Sequence, residues 1–550
     1  MIFDSFIGEM PILENHLLPA NASSKARNAV YFSGAIAGFP GNVLVNGTSV
    51  KPRHNGIMQS TSSIYHYDNG DDDFLLQFEQ HGVSVVNNPL ANDSFKRIYW
   101  TDGGKPKFTA KDRATGGTQS WPQDFQTLGI PRPAGYPSYT YIDMAPDSGG
   151  LELTSLVYTF VTEYGEESMP SDPTPPFEAY DLTTVAVTPP SIPESYNGSV
   201  ITHYRVYMLS GGFYLFLAER EIAEPLTEFD DGTEVGYPLD QRSLGESIST
   251  VDFDYPPENL HGLVSLPGGY LGAAFENVIC FSEPFLPYAW PKKYYLPLQF
   301  DIVGMVKTSQ GVLVGTTGKP YLLSGTVPFA MNAVEVDTVL PCVSALSMVD
   351  MGEYAVYAST EGLVVLQAGS ASLATKSVFS VAQWREMSPE TMQAVRYLDF
   401  YLVTTVTGKT FLFDPTSQTV TFLDLPFEVK AFSASPKFGV LILATTGEVI
   451  RFGDDYINNK EFVWKSRRFV TESNDVFAWA KVEHFGDATF KFCFYDSNGE
   501  EVMCHEVAPV SNRPFRLPPK KTPFVGFEVQ GTNRVSRISI GLSIGDLHNG

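Results

Sequence analysis

The chain has few cysteines, few basic residues and no long apolar run, and each shortage excludes a class of protein. Its four cysteines form no Cys-x-x-Cys pair, which excludes a zinc ribbon or a dithiol redox motif. Lysine and arginine total 37 against 62 aspartates and glutamates, and the net charge of −25 is opposite to that of a phosphate-binding surface. This balance argues against a tight nucleic-acid binder, but an acidic wall would let DNA pass without sticking.

Targeting and membrane signals are also missing. The N-terminus has no basic stretch followed by an apolar core, and no window approaches the roughly 18 apolar residues that a membrane span needs. We therefore expect a cytoplasmically made, soluble protein without a membrane segment. Helical periodicity is almost absent too, and SPETMQAV is the only fair helical turn.

Turn-forming and aromatic residues are abundant instead. The chain contains Gly 46, Pro 39, Tyr 27 and Phe 39, with only 18% charged residues. This mixture is typical of many short strands joined by tight turns. With 550 residues, 43% of them hydrophobic, the chain can build the cores of three or four domains, and we predict an all-β protein.

A strand–turn–strand pattern recurs in residues 259–458. Its five copies are GYLGAAFENVICFSEP, GVLVGTTGKPYLLSG, YAVYASTEGLVVLQAG, FYLVTTVTGKTFLFDP and GVLILATTGEVIRFGD. Most are spaced by roughly 40–50 residues, the length of a propeller blade, and such a blade cannot bury its faces alone. With one or two more blades from hairpins in residues 1–136, which also contain a connector loop, we predict a β-propeller of about six or seven blades that the termini close together.

Two further β modules are predicted beside the propeller. Residues 137–258 alternate strictly between apolar and polar positions, and their YGEESMPS turn and YRVY strand resemble a fibronectin type III-like β-sandwich inserted between blades. Residues 459–550 alternate again but lack the blade pattern, which predicts a small C-terminal β-sandwich.

One pair of cysteines is predicted to face each other across a hairpin. In KFCFYDSNGEEVMCHEV the Asn498-Gly499 step is a two-residue turn signal, and the register that it sets places Cys493 opposite Cys504. The pair could be bridged, but a reducing cytosol favours two packed thiols, and this is the form we expect.

Short motifs that suggest phosphate or metal binding are incomplete. Gly318-Lys319 and Gly408-Lys409 lack the preceding glycine of a phosphate loop, because Leu313 and Val403 stand there, so both are predicted to be hairpin tips. The acidic run in YDNGDDDF lacks calcium-loop spacing and a distal glutamate and is predicted to be a solvated turn. We expect no metal and no cofactor.

Catalytic signatures are equally weak. The segment WTDGGKPKF around Asp102 faintly resembles the Asp-box turn of sialidase blades, but it occurs once and without the serine or the trailing tryptophan of that box. No His-x-His, HExxH or GxSxG spacing is present, and His203 and His505 lie in predicted strands. We therefore expect a protein that is not an enzyme and has no catalytic residues.

One loop stands out as a candidate contact surface. In FSEPFLPYAWPKKYYLPL four prolines forbid a helix or a central strand, so Phe285, Tyr288 and Trp290 are held on a stiff extended loop. Rigid aromatic anchors on loops suit a subunit contact. The alternative is a loop that folds onto its own propeller.

Several segments, in this order, resemble the tail proteins of short-tailed (podovirus-like) phages and related prophages. They are GEMPILENHLLPANASSKARNAVYFSG, RIYWTDGGKPK, YTFVTEYGEESMPS, FSEPFLPYAWP, LPCVSALSMVDMGEYAVYASTEGLVVL and VWKSRRF, and they run over nearly the whole chain. The chain is most similar to the tail nozzle (tail tubular) protein, but it is shorter than the larger members of that family.

The resemblance implies a structural virion protein of the phage tail, made in the host cytoplasm. It implies a hexameric ring below the portal and its adaptor, with contacts to tail fibre or needle proteins and double-stranded DNA passing through the lumen. One alternative is a tail adhesin or fibre-adaptor that binds a host surface glycan or another tail protein. A second is a propeller glycan hydrolase, which would need a cleft with two acids that titrate apart.

Overall fold

Nearly all regular structure in the chain is β-strand. The computed structural model describes residues 1–45, 57–90, 92–116, 122–194, 196, 200–472 and 475–547. Within them, α-helix is limited to α1 (Lys111–Ala114) and α2 (Val381–Arg385). The predicted all-β class is confirmed.

The N-terminal strands precede the propeller in sequence. They are β1 (Ile2–Phe3), β2 (Ile7–Glu9), β3 (Ala22–Arg27), β4 (Ala29–Phe32), β5 (Ala35–Gly38) and β6 (Gly41–Leu44). Among these strands, only β6 has a propeller strand as its single partner, as described below.

Blades 1 and 2 follow. Blade 1 is the hairpin of β7 (Ser63–Asp68) and β8 (Asp73–Phe78), which has two strands in the described residues. Blade 2 is a four-stranded antiparallel sheet of β9 (Ser84–Asn87), β10 (Ile98–Thr101), β11 (Lys107–Thr109) and β12 (Gln126–Thr127). A shared core of Tyr67, Leu76, Ile98 and Trp100 joins the two blades.

An insertion separates blade 2 from blade 3. Its strands are β13 (Tyr139–Asp143), β14 (Glu152–Thr154), β15 (Leu156–Thr162), β16 (Phe177–Ala179), β17 (Thr184–Val187), β18 (Ile201–Ser210), β19 (Phe213–Glu221), β20 (Phe229–Asp230), β21 (Thr233–Glu234) and β22 (Tyr237–Pro238). The sheet β13-β17-β22 packs against the sheet β15-β18-β19, and residues such as Val185 and Tyr204 fill the core between them. This insertion is a β-sandwich between blades, and we call it the inserted module.

Blades 3 to 7 complete the ring. Their strands are β23 (His261–Leu266), β24 (Tyr270–Phe275), β25 (Val278–Phe281), β26 (Leu296–Pro297), β27 (Ile302–Thr308), β28 (Gly311–Thr316), β29 (Tyr321–Ser324), β30 (Asn332–Glu335), β31 (Val349–Asp350), β32 (Ala355–Ala358), β33 (Leu363–Gln367), β34 (Ser370–Leu373), β35 (Gln393–Tyr397), β36 (Phe400–Thr404), β37 (Thr410–Asp414), β38 (Thr419–Leu423), β39 (Val429–Ser435), β40 (Gly439–Ala444) and β41 (Val449–Asp455). Each of blades 3 to 6 takes four successive strands, and blade 7 takes β39 to β41.

The ring closes between the two ends of the propeller sequence. Strand β6 pairs with β41 and becomes the outer strand of blade 7, while β39 contacts β7 of blade 1. The first strands of the other adjacent blades contact one another in the same way, except at the core shared by blades 1 and 2. The described residues therefore form a seven-bladed propeller, which agrees with the predicted six or seven blades.

Strands in the middle of the blades are apolar on both faces. In β32 all four residues are buried, and in β28 every residue after Gly311 is buried. Each blade is packed between two neighbours, so neither face of a middle strand meets water. This explains why the repeated pattern consists of short apolar runs rather than alternating positions.

The C-terminal strands form a sandwich together with the N-terminal strands. They are β42 (Phe462–Ser466), β43 (Phe469–Val470), β44 (Trp479–His484), β45 (Ala488–Tyr495), β46 (Glu501–Val507), β47 (Phe515–Arg516), β48 (Phe524–Gly531) and β49 (Val535–Gly541). One sheet has the order β4-β5-β49-β44-β47, with β1 also paired to β49. The C-terminal sandwich was predicted to comprise residues 459–550 only. In the structure it also contains β1 to β5, which the prediction placed with the first blades.

The second sheet of this sandwich is continuous with blade 6. Its order runs β35-β36-β37-β38-β2-β3-β42-β48-β45-β46, and β43 pairs beside it with β48. Trp464, Phe490 and Phe527 are buried between this sheet and the first one. The propeller and the sandwich thus share a backbone hydrogen-bonded sheet, and a flexible linker does not separate them.

Candidate functional site

A hydrogen-bonded chain of Ser435, His66 and Asp73 lies where the ring closes. Ser435 Oγ is 2.9 Å from Nδ1 of His66, and Nε2 of His66 is 2.9 Å from Oδ1 of Asp73. Strands β7 and β8 supply the histidine and the aspartate, and the end of β39 supplies the serine. The three residues have the connectivity of a serine nucleophile, a base and an orienting carboxylate.

The surroundings of the serine point to a structural role. Its Oγ accepts hydrogen bonds from the backbone N–H groups of Lys437 and Phe438, so its own hydrogen is directed to Nδ1 of His66. Ser435 is only 6% exposed and His66 only 7%. An attacking oxygen must reach a substrate, and this one is enclosed by its own turn. We interpret the chain of bonds as a clasp between blades 7 and 1.

A salt bridge extends the clasp to the surface. Nζ of Lys437 donates to Oδ2 of Asp73, and a cleft of about 480 Å³ next to it is lined by Tyr65, Asn88 and Arg97 among others. Burial acts to raise the pKa of Asp73, but the hydrogen bonds from Lys437 and His66 outweigh it, and the pKa is lowered from its usual value. The carboxylate is thus held ionised as the acceptor of both donors.

Asp73→Asn should lower the free energy of unfolding by about 1–2 kcal/mol at pH 7, because two charge-assisted hydrogen bonds are lost. The pKa of Asp73 is lower in the folded than in the unfolded state, so its contribution is present above about pH 4 and is lost as the pH falls through the folded pKa. In urea unfolding, the difference in the free energy of unfolding between Asp73→Asn and wild type should be smaller at pH 3 than at pH 7. The exposed Asp71→Asn is the control, and a difference that grows at pH 3 would contradict the clasp.

The aromatic loop is mostly folded onto its own chain. Trp290 is 0% exposed and Tyr288 6%, and both belong to the core between blade 3 and the inserted module, whereas Phe285 is 58% exposed. Nε1 of Trp290 donates to the carbonyl of Pro287, which closes the loop on itself. The prediction of three surface anchors is therefore wrong for Tyr288 and Trp290, because this core needs their apolar rings. Phe285 alone remains available for a contact.

A buried ionic cluster joins the inserted module to blade 2. Arg97, which precedes β10, donates through Nη1 to Oε1 of Glu166 at 2.6 Å, while its Nε donates to Oδ2 of Asp93 at 3.1 Å. All three side chains are about nine-tenths buried or more. One guanidinium therefore neutralises two carboxylates, and one negative charge remains in excess.

Burial and the neighbouring charges together determine how the two carboxyl groups titrate. Burial raises the pKa of Glu166 to about 7 against the opposing effect of Arg97, and nearby Asp93 raises it further. Burial also acts to raise the pKa of Asp93, but its hydrogen bonds with Arg97 lower it overall. Glu166 is therefore the member of the cluster that takes up a proton as the pH falls through about 7.

Further contacts around the same turn of the inserted module fix its position. The guanidinium of Arg113 on α1 donates to Oε1 of Glu163 at 2.9 Å, and the backbone N–H of Glu167 donates to the hydroxyl of Tyr288 at 3.2 Å. The guanidinium of Arg97 also stands 5.3 Å from the ring centre of Tyr164. The YGEES turn is therefore the docking element of the inserted module, a role that its sequence alone does not indicate.

The glycine–lysine motifs lie at hairpins, as predicted. Gly408 is at the tip between β36 and β37 with φ of 77°, a conformation that favours glycine. Gly318 has no such φ, and it is needed instead because a Cβ there would lie 2.6 Å from the ring of Phe300. Nζ of Lys319 pairs with Glu335 and with Asp337, both at 2.8 Å. The lysine is thus paired, not simply solvated.

The remaining polar candidates have local partners. Oδ1 of Asn69 accepts from the backbone N–H groups of Asp71 and Asp72, which makes the acidic run a self-bonded turn. Asp102, in the Asp-box-like segment, pairs with Lys107 at 2.5 Å. These contacts are those of structural turns.

The paired cysteines form a disulfide. Cys493 and Cys504 are opposite each other in the β45–β46 register, as predicted, but they are bonded, so the expectation of two thiols is wrong in this structure. The turn is also larger than the predicted two residues, because the register shifts between Phe494 and Tyr495, and Tyr495 then lies opposite Glu501. Glu501 lies near both sulfurs, but these are bonded to each other and are not free to bind a metal.

Reduction of the disulfide should lower the free energy of unfolding by about 2 kcal/mol, because the hairpin of the unfolded chain is no longer closed. Urea unfolding with and without a thiol reductant measures this effect. A Cys493→Ser/Cys504→Ser variant is the control and should not respond to the reductant. The buried thiols of Cys280 and Cys342 are present in both proteins. A response of the variant equal to that of wild type would contradict the assignment.

The described residues include no helix long and apolar enough to span a membrane. No protein-family model matches the chain, and no curated protein matches it. Among solved structures, it is similar to BBS1N in a complex with ARL6DN, at 11% identity and a TM-score of 0.28, over 68% of this chain and 93% of that one.

Two further solved structures show a similar degree of likeness. Sqt1 of Saccharomyces cerevisiae has 9% identity and a TM-score of 0.25 over 60% of this chain and 96% of that chain. AztD of Citrobacter koseri has 11% identity and a TM-score of 0.25 over 67% of this chain and 100% of that chain. Likenesses this weak carry no argument about function.

Proposed function

We propose that the chain is a structural subunit of the tail nozzle of a short-tailed phage. The observation that carries this proposal is the succession of segments, in one order over nearly the whole chain, that resemble tail nozzle proteins. In this role six copies form a ring below the portal and adaptor, contact tail fibre or needle proteins, and surround the path of the DNA. The chain performs no catalysis, and its place is the virion.

The way the three modules are joined supports a role in a rigid wall. Backbone pairing runs without a break from blade 6 into the sandwich through β2 and β3. The inserted module is held on blade 2 by the buried cluster of Arg97, Asp93 and Glu166, and on the loop of blade 3 by the hydroxyl of Tyr288. A subunit without flexible joints keeps a channel open while a stiff polymer passes through it.

The charge supports the same role. Each copy carries a formal charge of −25, and a ring of six would carry six times that charge around a polyanion. A wall of the same sign as DNA repels phosphates, so the polymer does not adhere to it. A basic lumen would instead bind the DNA in a salt-dependent manner.

Labelling of purified virions tests the location. A gold label on an affinity tag at the C-terminus should appear at the axial exit of the tail in electron micrographs. Label on peripheral fibres would contradict the nozzle and favour the adhesin. The control is the same phage without the tag.

A fibre-adaptor or adhesin is the second candidate, and one observation favours it. Phe213 and Phe229, at hairpins of the inserted module, are exposed by 66% and 65%. Exposed aromatic side chains at loop tips suit contact with another protein or with a glycan. Replacing both with serine should abolish attachment of virions to host cells if the chain is an adhesin and should leave attachment unchanged if it is a nozzle subunit.

A further inference from the structure

The sandwich sheet ends in a strand that has a neighbouring strand on one side only among the described residues. Strand β46 is the last of its sheet, and on its outer side no strand lies in the part of the chain that the structure describes. It contains seven residues with no proline, and Val502 and Met503 are 49% and 36% exposed. A long exposed edge of this kind is a template for pairing with another strand.

The disulfide shows which backbone groups of β46 face outward. The Cα atoms of Cys493 and Cys504 are 4.1 Å apart, a separation typical of a pair in an antiparallel ladder that is not hydrogen-bonded. In such a pair both N–H and C=O groups point away from the partner strand. The backbone groups of Cys504 therefore point to the free edge, and with a period of two those of Glu506 do so as well.

A ladder of charges crosses the sheet toward this edge. In the strand register, Lys465 of β42 lies opposite Glu528 of β48, and Glu528 lies opposite Lys491 of β45. Lys491 in turn lies opposite Glu506 of β46. Directly opposed residues share one face of a sheet, so the signs alternate along four neighbouring strands. The series ends on an exposed glutamate, and its next member would be a cation.

We propose that β46 binds, by strand addition, an extended segment of a partner protein that carries a lysine or an arginine opposite Glu506. The outward backbone groups of Cys504 and Glu506 supply the hydrogen bonds of the new ladder. The terminal carboxylate selects a basic residue at one position of the added strand. The proposal does not depend on the nozzle function.

Peptides on the full-length oxidised protein test the proposal. The probe is a fluorescent seven-residue peptide of valine and threonine with one central lysine, and its matched competitor has glutamate at that position. Fluorescence anisotropy should show the lysine peptide binding about fivefold to tenfold more tightly than the glutamate peptide, as expected for one cross-strand charge pair turned from attraction to repulsion. N-methylation of the backbone groups that face the protein should abolish binding of the lysine peptide.

Charge reversal at the edge supplies the decisive comparison. Glu506→Lys should invert the preference so that the glutamate peptide binds more tightly, whereas Glu500→Lys in the adjoining turn should leave the preference of the wild type unchanged. Circular dichroism verifies that both variants are folded. Equal binding of the two peptides by wild type, binding by neither, or an unchanged preference in Glu506→Lys would each overturn the proposal. Self-association of Glu506→Lys without peptide selectivity would also overturn it, because the glutamate would then only protect the edge.

Discussion

Trp290→Ala is expected to lower the free energy of unfolding by about 3–5 kcal/mol, the usual cost of deleting a large buried aromatic side chain. The ring of Trp290 is fully buried in the core that blade 3 shares with the inserted module. The substitution also removes the hydrogen bond from the indole to the carbonyl of Pro287. The loss of the buried ring and the loss of this hydrogen bond both destabilise the same loop.

Phe285→Ala is the matched control, because this ring comes from the same loop but is mostly exposed. It should change the free energy of unfolding by less than about 0.5 kcal/mol. Urea unfolding of the two variants, followed by tryptophan fluorescence and circular dichroism, measures the difference. Equal effects would show that the loop is not folded onto its own chain, and the original interpretation as a surface loop would then stand.

Arg97→Met should cost about 3–5 kcal/mol at pH 8, because it leaves two buried carboxylates without their cation. Asp93 and Glu166 are both bonded to this guanidinium at the boundary between blade 2 and the inserted module. The loss should be smaller at pH 5, where protons can replace the missing positive charge. Chemical unfolding at the two pH values gives the comparison, and an equal loss at both would contradict the cluster.

Glu166 itself should make the stability of the protein depend on pH. Its folded pKa of about 7 is above its unfolded value, so its contribution is fully present below about pH 4.5 and is lost as the pH rises through 7. Relative to Glu166→Gln, the wild type should gain about 1–3 kcal/mol between pH 8 and pH 5. A gain of stability with rising pH would reverse the sign and contradict the assignment.

Local patterns in the sequence predicted the individual strands and the repeated blade. The apolar runs around Gly311, Gly408 and Gly439 correspond to blade strands because a middle strand is buried on both faces. The position of Cys493 opposite Cys504 was predicted correctly from the register of one hairpin. These features depend on contacts between residues that are at most a few tens of positions apart in the sequence. The periodicity of the sequence reflects such contacts.

Contacts between distant segments were not predictable in this way. Glu9 pairs with Val420 and Ile36 with Val535, so the N-terminal strands joined sheets whose other members lie about 400 residues or more away. Ser435 of the clasp is 369 residues away from its histidine in the sequence. The sequence of a short strand shows that the strand is half-buried, but it does not show which strand lies beside it. Local pattern likewise could not show that Tyr288 and Trp290 face their own chain.

The central claim is that six copies of this chain surround the path of the DNA. The most direct measurement is a cryo-electron microscopy reconstruction of the virion tail, with the propeller and its attached sandwich fitted as one rigid body. We expect six copies in a ring around the axial channel, with acidic surface toward the lumen. Three copies on a peripheral fibre, or no density for the chain near the tail axis, would contradict the account.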